Sequence, residues 1–253
     1  MYKNAIVRTP GKSMVDGITT SSLGKPDYAK ALKQHHAYIM ALEECGLEVV
    51  VLAPLEDYPD STFVEDVALI TPRCAIITNP GAPSRKGETV HIHQILNEFY
   101  ENIESIPAPG TVEGGDIMKV GSHYFIGISE RTNYEGARQL IAILEKYDLG
   151  GSTIQLEEYL HLKTGVAYLE NRVMVACGEL LDQPDLESFT ILPIPEEESY
   201  AANCIWINGT VLVAQGFPQT SRIVQDAGYP ILELDVSEFQ KLDGGLSCLS
   251  LRF

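Results

Sequence analysis

Four short segments concentrate the reactive side chains. Phe63-Val64-Glu65-Asp66 sets two acids side by side ahead of an apolar run, and Glu113-Gly114-Gly115-Asp116 brings two more around a glycine pair. Leu160-His161-Leu162-Lys163-Thr164 offers a histidine in the corresponding place, and Asp243-Gly244-Gly245-Leu246-Ser247-Cys248 ends on a thiol. With Cys204 as a further landmark, Asp66, Asp116, Thr164, Cys204 and Cys248 follow one another at intervals of 50, 48, 40 and 44 residues. In a pseudo-symmetric array, equivalent pre-strand positions converge on one axis. That would bring Glu65, Asp66, Glu113, Asp116, His161, Asp243 and Cys248 together as a nucleophile, an acid/base, an orienting carboxylate and further carboxylates for a cation. Taken singly, each has a plainer reading: Cys248 as a small buried hydrophobe, His161 as a hydrogen-bonded structural histidine, the acids as solvated turns or strand starts.

The set as a whole selects a substrate class. Carboxylates near a thiol raise its pKa by like-charge repulsion, so the thiol becomes competent when a bound cation neutralises the site. A guanidinium is such a cation: carboxylates bind its planar donor fork bidentately, and its central carbon is the electrophile. Attack on that resonance-stabilised carbon needs a soft nucleophile and a group that protonates the departing amine.

The elements that must position these groups are short. Apolar runs at Ala5–Arg8, Glu48–Leu52, Val67–Ile70 with Cys74–Thr78, Ile117–Val120 with Tyr124–Ile128, Val166–Leu169 with Val173–Cys177, Cys204–Ile207 with Val211–Ala214, and Ile231–Leu234 read as strands. Four of them pair across tight turns as β-hairpins. Helical periodicity marks 28–46, 133–147 and, more briefly, 89–99 and 219–228. The terminal unit has only Leu246–Phe253 left, and the N-terminal strand would complete it. About five repeats closed by the two termini predict a propeller or other closed array, with an irregular mixed α/β domain as the alternative. No Pro/Gly/Ser linker interrupts 1–253, which reads as one domain. Residues Val15–Asp27 suit a mobile lid or a plain surface connection.

Composition narrows the partners. Asp and Glu number 35 against 18 Lys and Arg, a net charge of -17. Without a basic run, nucleic acid and anionic membranes are excluded as partners. No apolar stretch approaches the roughly 18–20 residues of a membrane span. Five scattered cysteines without a CxxC argue against a disulfide framework or structural zinc and for a reducing cytoplasm.

On FVED (63–66), EGGD (113–116), HLKTG (161–165), the AANC and WING segments (201–209) and LDGGLSC (242–248), the whole chain resembles the guanidine-modifying superfamily of arginine deiminases and amidinotransferases. Within it, the chain is most similar to the compact bacterial type of the dimethylarginine dimethylaminohydrolase family. The resemblance implies a five-fold pseudo-symmetric α/β propeller (pentein) of ββαβ units. It implies hydrolysis of Nω-methylated arginine to citrulline and an amine, a small guanidino amino acid as partner, and no cofactor or resident metal. Zinc held by His161 and Cys248 would be an inhibitor. Carried over, Cys248 is the nucleophile, His161 the acid and base, and Glu113 its orienting carboxylate. Asp66 supported by Glu65 would hold the guanidinium, Arg85 and Arg131 the α-carboxylate, and Asp60 with the carbonyl of Ile18 the α-amino group. Leu242 and Asp243 would lie near the thiol and the substrate amines. Ile18 departs from the leucine common in the family. The competing readings are an arginine or citrulline hydrolase on the same scaffold, a non-catalytic binder of cationic amino acids, and a structural propeller. Propeller edges are compatible with a homodimer.

Overall fold

The computed structural model describes residues 1–253, and its fifteen strands form five three-stranded sheets, each drawn from one stretch of chain except the first. β1 (Asn4–Arg8) is followed by α1 (Tyr28–Glu44) and β2 (Glu48–Leu52). The second unit is β3 (Ala68–Ile70), β4 (Ala75–Ile77), α2 (Glu88–Leu96) and β5 (Ile103–Ser105). The third is β6 (Ile117–Val120), β7 (His123–Ile128), α3 (Tyr134–Lys146) and β8 (Gly150–Gln155). In the fourth, the one-turn helix α4 (Leu162–Gly165) leads into β9 (Val166–Tyr168) and β10 (Val173–Ala176), and β11 (Thr190–Pro193) follows two 3-10 turns. The fifth is β12 (Ile205–Ile207), β13 (Thr210–Ala214), α5 (Pro218–Asp226) and β14 (Ile231–Leu234). After α6 (Ser237–Gln240), β15 (Leu251–Arg252) returns to β1.

Every unit repeats one pairing rule. Two strands form an antiparallel pair, and a third, reached through a crossover, lies parallel to the central one. The first sheet obeys it only by joining the ends of the chain: Ala5 faces Arg252 and Ile6 faces Leu251 antiparallel, while β2 runs parallel to β1. This is the closure expected from the sequence. Because every sheet shares its layout, the starts of β3, β6, β9, β12 and β15 are equivalent by pseudo-symmetry.

The hairpins and long helices follow their sequence patterns. Asp27 caps α1 by accepting from Lys30 N at 2.9 Å, and Asn133 caps α3 by accepting from Gly136 N at 2.7 Å. The third strands β5, β8 and β11 escape the sequence reading. They are edge strands, short or rich in glycine and polar residues, and mostly half-exposed, so no alternation marks them. The crossover of the fourth unit is no α-helix, because Gly178 at φ 53 and Pro184 break it into two 3-10 turns.

Burial links the helices to the site. Tyr38 on α1 is fully buried, and its hydroxyl donates to Leu246 O at 2.9 Å and meets Ser250 Oγ at 2.7 Å. The longest helix therefore grips the segment that carries Cys248 from both sides.

Candidate active site

Four of the five units enter their first strand from a single helical turn, three directly (64–67, 114–116 and α4) and one through Ser250 (247–249). The fifth follows a 3-10 segment at 196–202. One position before each landmark stand Glu65, Gly115, Lys163, Asn203 and Ser247, and these form a layer across the axis. Lys163 Nζ lies 2.5 Å from Glu65 Oε1, and Arg252 Nη2 donates to the same oxygen at 3.1 Å. Ser247 Oγ donates to Glu65 Oε2 at 2.9 Å. Asn203 Nδ2 donates to Lys163 O at 2.9 Å and to Ser247 Oγ at 3.0 Å, while its Oδ1 accepts from Ser247 N at 2.9 Å. The network ties the histidine turn, the cysteine turn and the first acidic turn into one unit.

The expected catalytic groups meet on one side of this layer. His161 Nε2 and Glu113 Oε2 are 2.8 Å apart, with both side chains largely buried. Nδ1 faces Gly115, where a Cβ would stand 2.6 Å from it and 3.1 Å from Asp66 Oδ1, so only glycine lets ring and carboxylate approach this closely. Burial alone would lower the pKa of His161. The carboxylates of Asp116, Asp66 and Glu113 outweigh that and raise it to about 9. Cys248, half-buried, shares a small cavity with His161, Lys163, Tyr200, Asn203 and Asp243. Its Sγ accepts from Gly245 N at 3.4 Å. Burial, then the charges of Glu65 and Asp66, push the thiol up to about 12, against the weaker pull of that N–H and of Lys163. The resting site is thus a thiol beside an imidazolium.

Asp66 is buried and pinned. Its Oδ2 lies 2.5 Å from Arg85 Nη1, its Oδ1 accepts from Gly115 N at 2.9 Å, and Arg85 and His161 keep it ionised against its burial. Arg85 is only 5% exposed, and all three of its nitrogens are engaged, by Glu88, Asp66 and the carbonyls of Asp60 and Phe63. Arg131 is the arginine with donors to spare: its side chain is 20% exposed and its Nη1 stands 3.8 Å from Glu113 Oε1. Asp60 Oδ1 accepts from Ile18 N at 2.9 Å, and burial raises the pKa of its carboxyl. A Cβ on Gly17 would fall 2.8 Å from Asp60 Oδ1 and 3.3 Å from Leu242 Cδ1, so the 15–27 segment closes on both. Asp243, at φ 57, accepts from Thr20 N at 2.6 Å and Thr20 Oγ1 at 3.0 Å, which fastens the same segment over the cavity. Glu65 is placed differently from the other acids. It is satisfied within the layer, and it acts on the thiol through its charge.

Asp116 was expected to converge but had no role of its own, and several other contributors went unassigned in the sequence. Asp116 is wholly buried, accepts from Leu162 N at 3.0 Å and Ser129 Oγ at 2.8 Å, and gives His161 its largest stabilising charge. Lys163, Asn203 and Ser247 were reachable through the repeat, since each precedes a landmark by one position. Glu88, buried against Arg85, follows no repeat and had no such signal. Asp66, Glu113 and His161 bring their donor atoms within 4.8 Å of one another, close enough to ligate a cation, but Arg85 already sits as the cation against Asp66.

The comparisons with known proteins agree with this geometry. The family model for eukaryotic N,N dimethylarginine dimethylhydrolase matches residues 22–206. The chain is 58% identical to the N(G),N(G)-dimethylarginine dimethylaminohydrolase of Pseudomonas aeruginosa across all of both chains. It is 34% identical to the enzyme of that name from Streptomyces coelicolor, over 99% of this chain and 96% of the relative. The Pseudomonas enzyme, solved as a cysteine-to-serine variant with citrulline, superposes at a TM-score of 0.99 over all of both chains, at 57% identity. The N-terminal domain of the cyanobacterial arginine dihydrolase ArgZ shares the fold at a TM-score of 0.90 and 18% identity, covering 98% of this chain and 97% of that one. A conserved fold alone would leave the chemistry open, but full-length identity at this level does not, and the chain belongs to the dimethylarginine dimethylaminohydrolase family.

Proposed function

We propose that the chain hydrolyses Nω-methylated L-arginine, the asymmetric dimethyl and monomethyl forms, to L-citrulline and dimethylamine or methylamine. The observation that carries the reading is the placement of Cys248 in one small cavity with a His161 that Glu113 orients, under the carboxylates of Asp66 and Asp116. The free thiol is protonated. Burial and the charges of Glu65 and Asp66 hold the thiol's pKa up; a guanidinium bound beside Asp66 offsets them, and the thiol gives its proton to solvent water. Sulfur then forms a bond to the guanidinium carbon, and the His161 imidazolium donates its proton to the alkylated nitrogen as the C–N bond breaks. The amine leaves, and an S-alkylthiouronium remains on Cys248. Neutral His161 next takes a proton from water, whose oxygen bonds to the same carbon; the C–S bond then breaks, the remaining hydroxyl proton passes to the departing sulfur, and citrulline and the free thiol remain.

Substrate position follows from the charged ends of the cleft. Arg131 offers its free fork to the α-carboxylate, with Arg85 lending positive charge from behind. Asp60 with the Ile18 backbone, together with Leu242 and Asp243, would receive the amino-acid end and close the 15–27 segment over it. All these groups come from one chain, its five cysteines are free, and we place the reaction in the cytoplasm.

A panel of arginine, monomethylarginine, asymmetric dimethylarginine and citrulline tests the reading. Citrulline should form from the two methylated substrates, and Cys248→Ser should abolish it while leaving the thermal transition in place. Preferred turnover of unmethylated arginine, or normal turnover by the serine variant, would overturn the assignment.

A further inference from the structure

The layer formed by Glu65, Gly115, Lys163, Asn203 and Ser247 has two faces, and only one belongs to the cleft. On the other lies a much larger cavity of about 630 Å3, down the axis of the propeller. Its volume falls in the ordinary range for small-molecule sites, roughly 300–1,000 Å3. Lys163 and Ser247 line both cavities. The walls are mostly apolar, among them Ile70, Met118, Val120, Tyr168, Trp206 and Leu251.

The charges at its floor are unequal. Lys163 and Arg252 share the single carboxylate of Glu65, so the floor carries an excess positive charge in a protein of net charge -17. On the wall, Lys119 makes no salt bridge, and Glu170, which lines the same cavity, acts on it only through its charge. An apolar shaft ending on surplus cations fits a ligand with an anionic head and an apolar body. We propose that this axial cavity is a second ligand site, for small carboxylates with an apolar tail, and that its occupancy slows the cysteine on the far side of the layer.

The coupling follows from shared residues. Glu65 opposes the Cys248 thiolate and Lys163 favours it. A carboxylate on the floor competes with Glu65 for Lys163 and adds negative charge a few bonds from Ser247. Both effects disfavour the thiolate, whatever substrate the cleft accepts.

The chain has one tryptophan, and it lines this cavity, so its emission reports on occupancy without any assay of turnover. 4-Phenylbutyrate, 4-phenylbutanol and 4-phenylbutylamine would be titrated into the full-length protein while emission and the rate of Cys248 alkylation by iodoacetamide are followed. A saturable change is expected with the carboxylate, at least tenfold weaker with the alcohol and the amine, together with slower alkylation. Lys119→Glu should weaken carboxylate binding at least tenfold, and Arg131→Ala should leave it unchanged. No saturable change, equal affinity for all three heads, or loss on Arg131→Ala with retention on Lys119→Glu would each overturn the proposal. The last would mean that the carboxylate binds in the cleft.

Discussion

His161 holds the charge balance of the cleft. Three carboxylates keep it protonated up to about pH 9 against its burial. The alkaline limb of kcat/KM should lie near that value, because the imidazolium is the acid for the leaving amine. Glu113→Gln removes one of the three charges and the orienting acceptor. It should move the limb toward 6.5, the ordinary value for histidine, and reduce kcat/KM at pH 7.5 by roughly 10²–10⁴-fold, the span of general acid–base catalysis. An unmoved limb would assign the titration to another group. The same shift bears on stability with a definite sign. The folded pKa lies above the unfolded one, so the contribution is complete below about pH 6.5 and is lost as pH rises through 9. The urea midpoint should fall over that interval, and His161→Gln should flatten the fall. At this scale the sequence was informative wherever a residue sat on the repeat. Cys248, His161, Glu113 and Asp66 all meet as expected. Arg85 was misleading in one respect: its type suggests a free fork for a carboxylate, but only its surroundings show that fork filled by Asp66 and Glu88.

Two elements decide how well those residues are aimed. The first is the 15–27 segment, held by the Asp60–Ile18, Lys241–Thr19 and Asp243–Thr20 hydrogen bonds. Its small polar composition marked it as a lid or a connection equally, because the contacts that choose between them come from residues more than forty positions away. Thr19→Val deletes the bond from Thr19 Oγ1 to Lys241 O and leaves the acids untouched. One exposed hydrogen bond contributes about 1 kcal/mol. If closure is tied to substrate binding, KM should rise up to about fivefold with kcat unchanged, and an unaltered KM would show that this tether carries no closing energy. The second element is the set of pre-strand turns. Asn203→Ala cuts the three bonds that hold the Lys163 carbonyl to the Ser247 turn. Small misplacements of reacting groups cost up to roughly 10²-fold in rate. The variant should therefore lose mainly kcat, with KM nearly constant. A loss confined to thermal stability would make Asn203 structural only. The hairpins feeding these turns were legible from alternation and turn residues. The third strands β5, β8 and β11 were not, since an edge strand such as Gly150–Gln155 takes its conformation from its partner rather than from its own pattern.

At the scale of the whole molecule, the decisive feature is that the chain closes on itself within a few residues of its nucleophile. The repeat intervals implied five units and assigned the N-terminal strand to the last of them. What they left out was that the closing strand is only Leu251–Arg252 and is charged with a second task. Leu251 is buried beside Ile6, Arg252 reaches back to Glu65 in the axial layer, and the Phe253 carbonyl accepts from Lys3 N at 2.8 Å and Asn4 N at 2.7 Å. Deleting 251–253 removes a buried leucine, worth about 2–5 kcal/mol, takes away one of the two cations on buried Glu65, and cuts the backbone bonds from Lys3 and Asn4 to Phe253. Against a typical total stability of 5–15 kcal/mol, that loss is of the order of the whole. The truncated chain should show a much lower urea midpoint or fail to fold cooperatively. Arg252→Met keeps the closing strand and its apolar stem but leaves Glu65 to Lys163 alone. In that milder variant Glu65, with one cation fewer to offset it, should disfavour the thiolate further, so Cys248 alkylation at pH 8 should slow severalfold while the fold persists. If alkylation instead kept its wild-type rate in a destabilised protein, the link from Arg252 through Glu65 to the thiol would be purely structural, and closure of the propeller would not tune the cysteine.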